Sequence, residues 1–129
     1  MAQNTPKLND ELSFTRHITR EDILSFAETS QDHGIHHVEG EKLLAHGLLV
    51  ATLPTKLGGD LNFIASQMVF DFIKPVYEND IVTCTGKIEK IIEQSKRYKV
   101  WFSFVCHNEN REEVLKGTSH GMIWKKELS

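Results

Sequence analysis

The sequence predicts an α+β fold: one curved antiparallel sheet wrapped around a buried helix. Three observations predict it. Residues 45–57, with Leu48, Leu49, Val50, Ala51 and Leu53, leave almost no polar face, the composition of a helix covered on most sides. From about Asn62 the chain reads as strands whose side chains alternate with period two and are separated by turn residues. Its 129 residues, 40% hydrophobic and 26% charged, suit one domain with a sizeable core.

Residues 1 to about 11 are polar and aperiodic and are expected to form a flexible N-terminal tail, leaving residues 12–129 as the domain. Phe14-Thr15-Arg16-His17-Ile18 alternates as a short strand. Thr19 with Asp22 resembles a capping box, opening a helix through Ile23, Phe26 and Ala27 that ends near Ser30. Gly34 and Gly40 break the loop that follows. The buried helix is expected to kink at Pro54 and to stop at Gly58-Gly59. Met68, Phe70 and Phe72 then alternate with Val69, Asp71 and Ile73. Residues 81–93 and 114–125 are also strand-like, and Tyr98, Val100, Phe102, Phe104 and Cys106 share one face of another strand. Glu93-Gln94-Ser95-Lys96 and Asn108-Glu109-Asn110 supply turns, and the four phenylalanines at 70, 72, 102 and 104 are expected in the core.

The net charge of −3 and pI near 6.1 give no broad attraction to nucleic acid. No run approaches the roughly 18 apolar residues of a membrane span, and the opening residues lack an apolar signal core, so a cytoplasmic protein is expected. Cys84 and Cys106 lie in strand-like segments without metal-type spacing and are expected as reduced, partly buried thiols.

The stretch most suited to chemistry is Ser30-Gln31-Asp32-His33-Gly34-Ile35-His36-His37, followed by Ala45-His46-Gly47 at the head of the buried helix. A carboxylate and imidazoles beside a helix start supply a general base, a general acid and donors for a developing oxyanion. His33, His36, His37 and His46 with Asp32 could also hold a metal, but tetrahedral sites usually draw separated pairs from rigid elements, so no metal and no cofactor is expected. Lys74 and the Lys96-Arg97 pair could meet phosphates, although solvated strand-end charge is the simpler reading.

These residues resemble the MaoC-like (R)-specific enoyl-CoA hydratase and 3-hydroxyacyl dehydratase family of the hot-dog superfamily, over about residues 12–125. The family loop Asp-x-Asn-Pro-x-His is matched by Asp32 and His37, its His-Gly by His46-Gly47, and its Phe-x-x-Pro-Val-x-x-x-Asp by Phe72 to Asp80. The resemblance implies a hot-dog dimer, or dimer of dimers, acting on acyl-CoA or acyl-carrier-protein thioesters. It also implies a catalytic group of Asp32, His37, Gly47 and Thr55: the Asp–His pair handles water, Gly47 N–H holds the thioester oxygen, and Thr55 supplies a hydroxyl further along the helix. His36, His46 and Leu48 are implied as substrate-binding neighbours, and His36 is the alternative to His37 if the register shifts by one. Gly34-Ile35 stands where the family has Asn-Pro, and the segment from His37 to His46 is short, which points to short acyl chains. The implied activity is a hydro-lyase interconverting trans-2-enoyl and (R)-3-hydroxyacyl thioesters. A hot-dog acyl-CoA thioesterase and a non-catalytic acyl-thioester-binding protein are the alternatives.

Overall fold

The computed structural model describes residues 5–125. Its elements are β1 (Glu11–His17), α1 (Arg20–Ser30), α2 (Ile35–Val38), α3 (Gly47–Val50), α4 (Thr52–Asp60), β2 (Ile64–Phe72), β3 (Ile81–Glu93), β4 (Arg97–His107) and β5 (Glu113–Trp124). The five strands form one sheet in the order β1-β3-β4-β5-β2, and every neighbouring pair is antiparallel. Both expected turns join consecutive strands, 94–96 between β3 and β4 and 108–112 between β4 and β5.

Period-two alternation holds well in β4, where Val100, Phe102, Phe104 and Cys106 are all buried. That face meets the α3–α4 segment, whose Leu49, Val50, Leu53 and Leu57 pack with Val82, Cys84, Phe104 and Leu115 in the main core. Each such side chain, fully buried, contributes roughly 1.5–3 kcal/mol. The layer packing expected from the sequence, a curved sheet around a central helix, is thus the observed one. Cys84 and Cys106 face each other across β3 and β4 as free, fully buried thiols. The neighbouring Cys84 and burial together push the Cys106 thiol far above its usual range.

The capping box is present: Thr19 Oγ1 accepts from Asp22 N–H, and the Asp22 carboxylate accepts from Thr19 N–H, both at 3.0 Å. Burial pushes the Asp22 carboxyl up, but the Thr19 N–H and the Arg16 guanidinium, 2.7 Å away, outweigh it and hold the group below its ordinary range.

Four local expectations need correction. The break in the central helix lies at Ala51, not Pro54. Pro54 falls in the first turn of α4, where N–H groups have no intrahelical acceptor, so its missing donor costs nothing. The helix also passes through Gly58 and Gly59 to Asp60 and closes when Leu61 N–H reaches Gly58 O. Phe72 is 54% exposed and is not a core residue, because β2 is an edge strand with little covering it. Finally, β1 begins at Glu11, and Asn9 N–H and Asp10 O already bond to Ile88, so residues 9–11 are tied to β3; residues 1–4 of the expected tail lie outside the described residues.

Candidate active site

Local hydrogen bonds shape the loop after α1. Gln31 takes a left-handed conformation (φ 63°) that ends the helix. Ser30 Oγ then accepts from Asp32 N–H, and Asp32 Oδ1 accepts from Gly34 N–H, each at 3.1 Å. These short-range turns are what Ser and Asp side chains favour. They lead into the single turn α2, which the sequence did not announce, and α2 points His37 inward and leaves His36 exposed.

A second segment brings His46 to the same place. Residues 43–45 run against 76–78, with Ala45 N–H bonded to Val76 O at 2.8 Å and Glu78 N–H to Leu43 O at 2.9 Å. The Glu78 side chain, 9% exposed, accepts from Leu43 N–H and from Arg20 Nη1, both at 2.7 Å, so it clamps this segment to α1. His46 follows directly, buried, with Phe26 edge-on at 4.9 Å.

Three groups converge. His37 Nδ1 lies 2.7 Å from Leu44 O and His46 Nε2 lies 3.0 Å from Asp32 O. A carbonyl only accepts, so both of these nitrogens carry a proton, and in the neutral form of each ring the other nitrogen is bare. For His37 that is Nε2, which faces Asp32 Oδ2 at 3.7 Å. This separation exceeds a direct hydrogen bond and invites a bridging water. For His46 it is Nδ1, buried and without a partner among the described residues. The two rings stack at 3.7 Å and 13°, and His36 meets His37 edge-on at 4.1 Å. The Gly34 N–H above all holds the Asp32 carboxyl below its ordinary range, to which the imidazoles 37, 46 and 36 add attraction in their protonated form, so Asp32 is ionised at neutral pH.

The ligand atoms of Asp32, His37 and His46 all lie within 4.8 Å of one another. Metal bonding needs in-plane lone pairs to meet at about 2.0 Å from each nitrogen. Lone pairs of two parallel rings 3.7 Å apart do not converge, so this arrangement would hold an ion only after a ring turned. His33 turns away to Glu28, at 3.1 Å, whose carboxylate raises the imidazole pKa.

Gly47 opens α3 directly after His46. Leu49 and Val50 N–H bond to His46 O, so the helix itself gives the Gly47 and Leu48 N–H groups no acceptor. A Cβ on Gly47 would come within 2.7 Å of Phe72 Cε1, so the missing side chain makes room for that ring. The Leu48 side chain is 61% exposed. Thr55 sits on α4, away from this group: it lines a cavity of about 180 Å³ between α4 and the sheet, and its hydroxyl donates to Ala51 O at 3.0 Å. Lys74 pairs with Glu112 and Arg97 Nε bonds to Gln94, so both are strand-end interactions. The structure thus gathers Asp32, His36, His37 and His46 beside Gly47, and sets Thr55 apart. Glu78 and the Leu44 carbonyl were missed from sequence; Glu78 reads there as one more charged turn residue, since its burial depends on a segment 35 positions away.

No family model matches the chain, and no curated protein does. Solved structures match its whole architecture at low identity. The R-hydratase PhaJ1 of Pseudomonas aeruginosa in its unliganded form superposes with a TM-score of 0.82 at 17% identity, over 92% of this chain and 82% of that one. An (R)-hydratase of A. caviae involved in PHA biosynthesis gives 0.81 at 18%, over 92% and 97%. A hypothetical thioesterase of Streptococcus pneumoniae, solved with coenzyme A, gives 0.65 at 17%, over 95% and 85%. The strand order, the buried central helix and these superpositions together show that the chain has the hot-dog fold.

Proposed function

We propose that this protein is a hydro-lyase that interconverts trans-2-enoyl thioesters and (R)-3-hydroxyacyl thioesters. The observation that carries the proposal is the Asp32–His37 pair: an ionised carboxylate and the bare Nε2 of an imidazole whose other nitrogen is committed to Leu44 O. Both are acceptors, so a water between them donates one hydrogen to each and turns its lone pairs outward. As that oxygen bonds to C3 of the enoyl group, the pair takes the proton and the C2=C3 electrons move onto the thioester oxygen. The pair then returns a proton to C2, and its own protonation state is restored. Each positioned group is worth roughly 10² to 10⁴ in rate.

Enolate charge on the thioester oxygen calls for donors placed where it develops. The Gly47 and Leu48 N–H groups fill that role. His46 carries Asp32 and His37 through one bond and one stack; this reading assigns the acyl tail to the cavity that Thr55 lines, which departs from the short chains expected from the sequence. Water and proton both come from the pair, hence from one face, a syn addition; the (R) configuration at C3 is the one that the family resemblance implies.

An exposed β2 edge bearing Ile64, Met68, Val69, Phe72 and Ile73 supports a homodimer that covers it. A thioesterase is the second reading, since Asp32 could also direct water at the thioester carbonyl, and one fold neighbour is described as a thioesterase. Incubation with crotonyl-CoA separates them: loss of enoyl absorbance reports hydration, release of free thiol reports hydrolysis. Asp32→Asn and His37→Ala should each lower hydration by at least 10², and the double variant should be little worse than the worse single one. If His36→Ala inactivates and His37→Ala is silent, the assigned pair is wrong.

A further inference from the structure

The cavity beside α4 contains a group that water addition does not use. Its walls are Leu57, Phe63 and Phe102, and the exposed Thr55 and Met68 stand at its rim. Ser119 lies in the sheet wall on β5, directly across from Phe102 on one side and Met68 on the other. It is 6% exposed, and its hydroxyl has no hydrogen-bond partner among the described residues. The next residues on this face of β5, Gly117 and Gly121, could not carry a Cβ without meeting the carbonyl oxygens of Val69 and Ile64 on β2. The backbone of β2 therefore packs directly over both glycine positions, and Ser119 is the residue of this face that lines the cavity. A buried, unpaired hydroxyl is unfavourable, and folding alone gives no reason for one where alanine would fit.

An apolar cavity of about 150 Å³ holds benzene, so 180 Å³ accommodates the end of a chain of roughly six or seven heavy atoms. Thr55 is eight residues beyond Gly47, roughly 12 Å along the helix at 1.5 Å per residue, so only the distal part of a chain anchored at Gly47 arrives there. We infer that Ser119 selects acyl chains carrying an oxygen, as a hydroxyl or a keto group, in their distal half. This rests on the reading of the protein as one that binds acyl thioesters, and it names which thioesters. Once a turn about χ1 brings Oγ round to the cavity, the serine hydroxyl donates to a keto oxygen or exchanges a hydrogen bond with a hydroxyl, while the aromatic walls cover the methylenes.

The test measures discrimination as a ratio within each protein, so that general changes cancel. Binding of saturated decanoyl-CoA and of its hydroxy and keto forms, with oxygen placed from C6 to C9, is measured by calorimetry, which needs no turnover. The same positional set as trans-2-decenoyl-CoA is assayed for hydration. For the intact protein, one oxygen position should favour the oxygenated chain roughly three- to tenfold, the worth of a neutral hydrogen bond. Ser119→Ala, which removes one atom, should bring that ratio to one or below and bind the plain chain no more weakly. A ratio near one in the intact protein at every position, as expected if the hydroxyl merely holds a water, overturns the inference even when hydration is fast. A ratio that survives without any hydration upholds the inference as a binding property and sinks the hydro-lyase reading. Failure of every acyl-CoA to bind overturns both.

Discussion

Replacing Gly47 with alanine separates two reasons for the glycine. In the structure the new methyl would lie 2.7 and 2.9 Å from Phe72 Cε1 and Cδ1, closer than carbon atoms pack. Phe72 is 54% exposed, so its ring can swing outward and lose less than half of the roughly 1.5–3 kcal/mol that a fully buried side chain contributes. That is about 1 kcal/mol, and the loss of glycine's freedom in the unfolded chain returns about 0.4–1 kcal/mol. Stability should therefore change by less than about 1 kcal/mol, a Tm shift within about 4 °C. Activity should change far more. If the Gly47 N–H receives the thioester oxygen, a methyl that bars the approach removes one oxyanion donor, a loss of about 10²–10³ in kcat. Hydration of crotonyl-CoA, measured beside the melting curve, gives both numbers. Phe72→Ala in the same background removes the clashing ring. If the double variant recovers the activity of Phe72→Ala alone, the glycine serves only the ring, and the close approach of substrate to position 47 is refuted.

Glu78→Ala leaves the buried Leu43 N–H without an acceptor, a cost of about 1–3 kcal/mol visible in urea melts, and because that segment leads into His46 it should also slow hydration. Glu78→Gln keeps the acceptor and should retain most of both. Thr19→Ala removes the cap of α1 and should cost about 1 kcal/mol. The Asp22 carboxyl is held low in the folded protein, so its contribution is complete above the ordinary value of 3.8 and is lost as pH falls through the lower folded value. Acid melts of Asp22→Asn should thus lose less stability between pH 4 and 2 than those of the parent. Carbon NMR of Asp32 should show a midpoint below 3.8, and one above it would contradict the Gly34 N–H bond. Light scattering at micromolar concentration should show a dimer, and a sole species of 14.8 kDa would count against pairing at β2.

Local chemistry made much of the fold legible in the sequence. Thr19 and Asp22 lie three residues apart and make the same two hydrogen bonds wherever a helix begins, so the cap was readable. The β4 face from Val100 to Cys106 was readable because alternation is a backbone property, and the apolar run from Ala45 revealed a helix that had to be covered. The residues Asp32, His37, His46 and Gly47 could be singled out by type and spacing, but their relation could not. Residues 32 and 46 meet only because 43–45 pair with 76–78, and which nitrogen of His37 is bare follows from the carbonyl of Leu44, a group with no side-chain signature. The same holds for the departures. Proline disrupts a helix interior but not its first turn, and only the break at Ala51 decided which position Pro54 occupies. Phe72 carries the alternation of a buried strand residue, yet burial is set by what lies opposite, and β2 lies at the edge of the sheet. Ser119 shows the limit most plainly. Its neighbours Thr118 and His120 give no hint of a cavity, because the cavity is made by α4, β2 and β4 meeting over it.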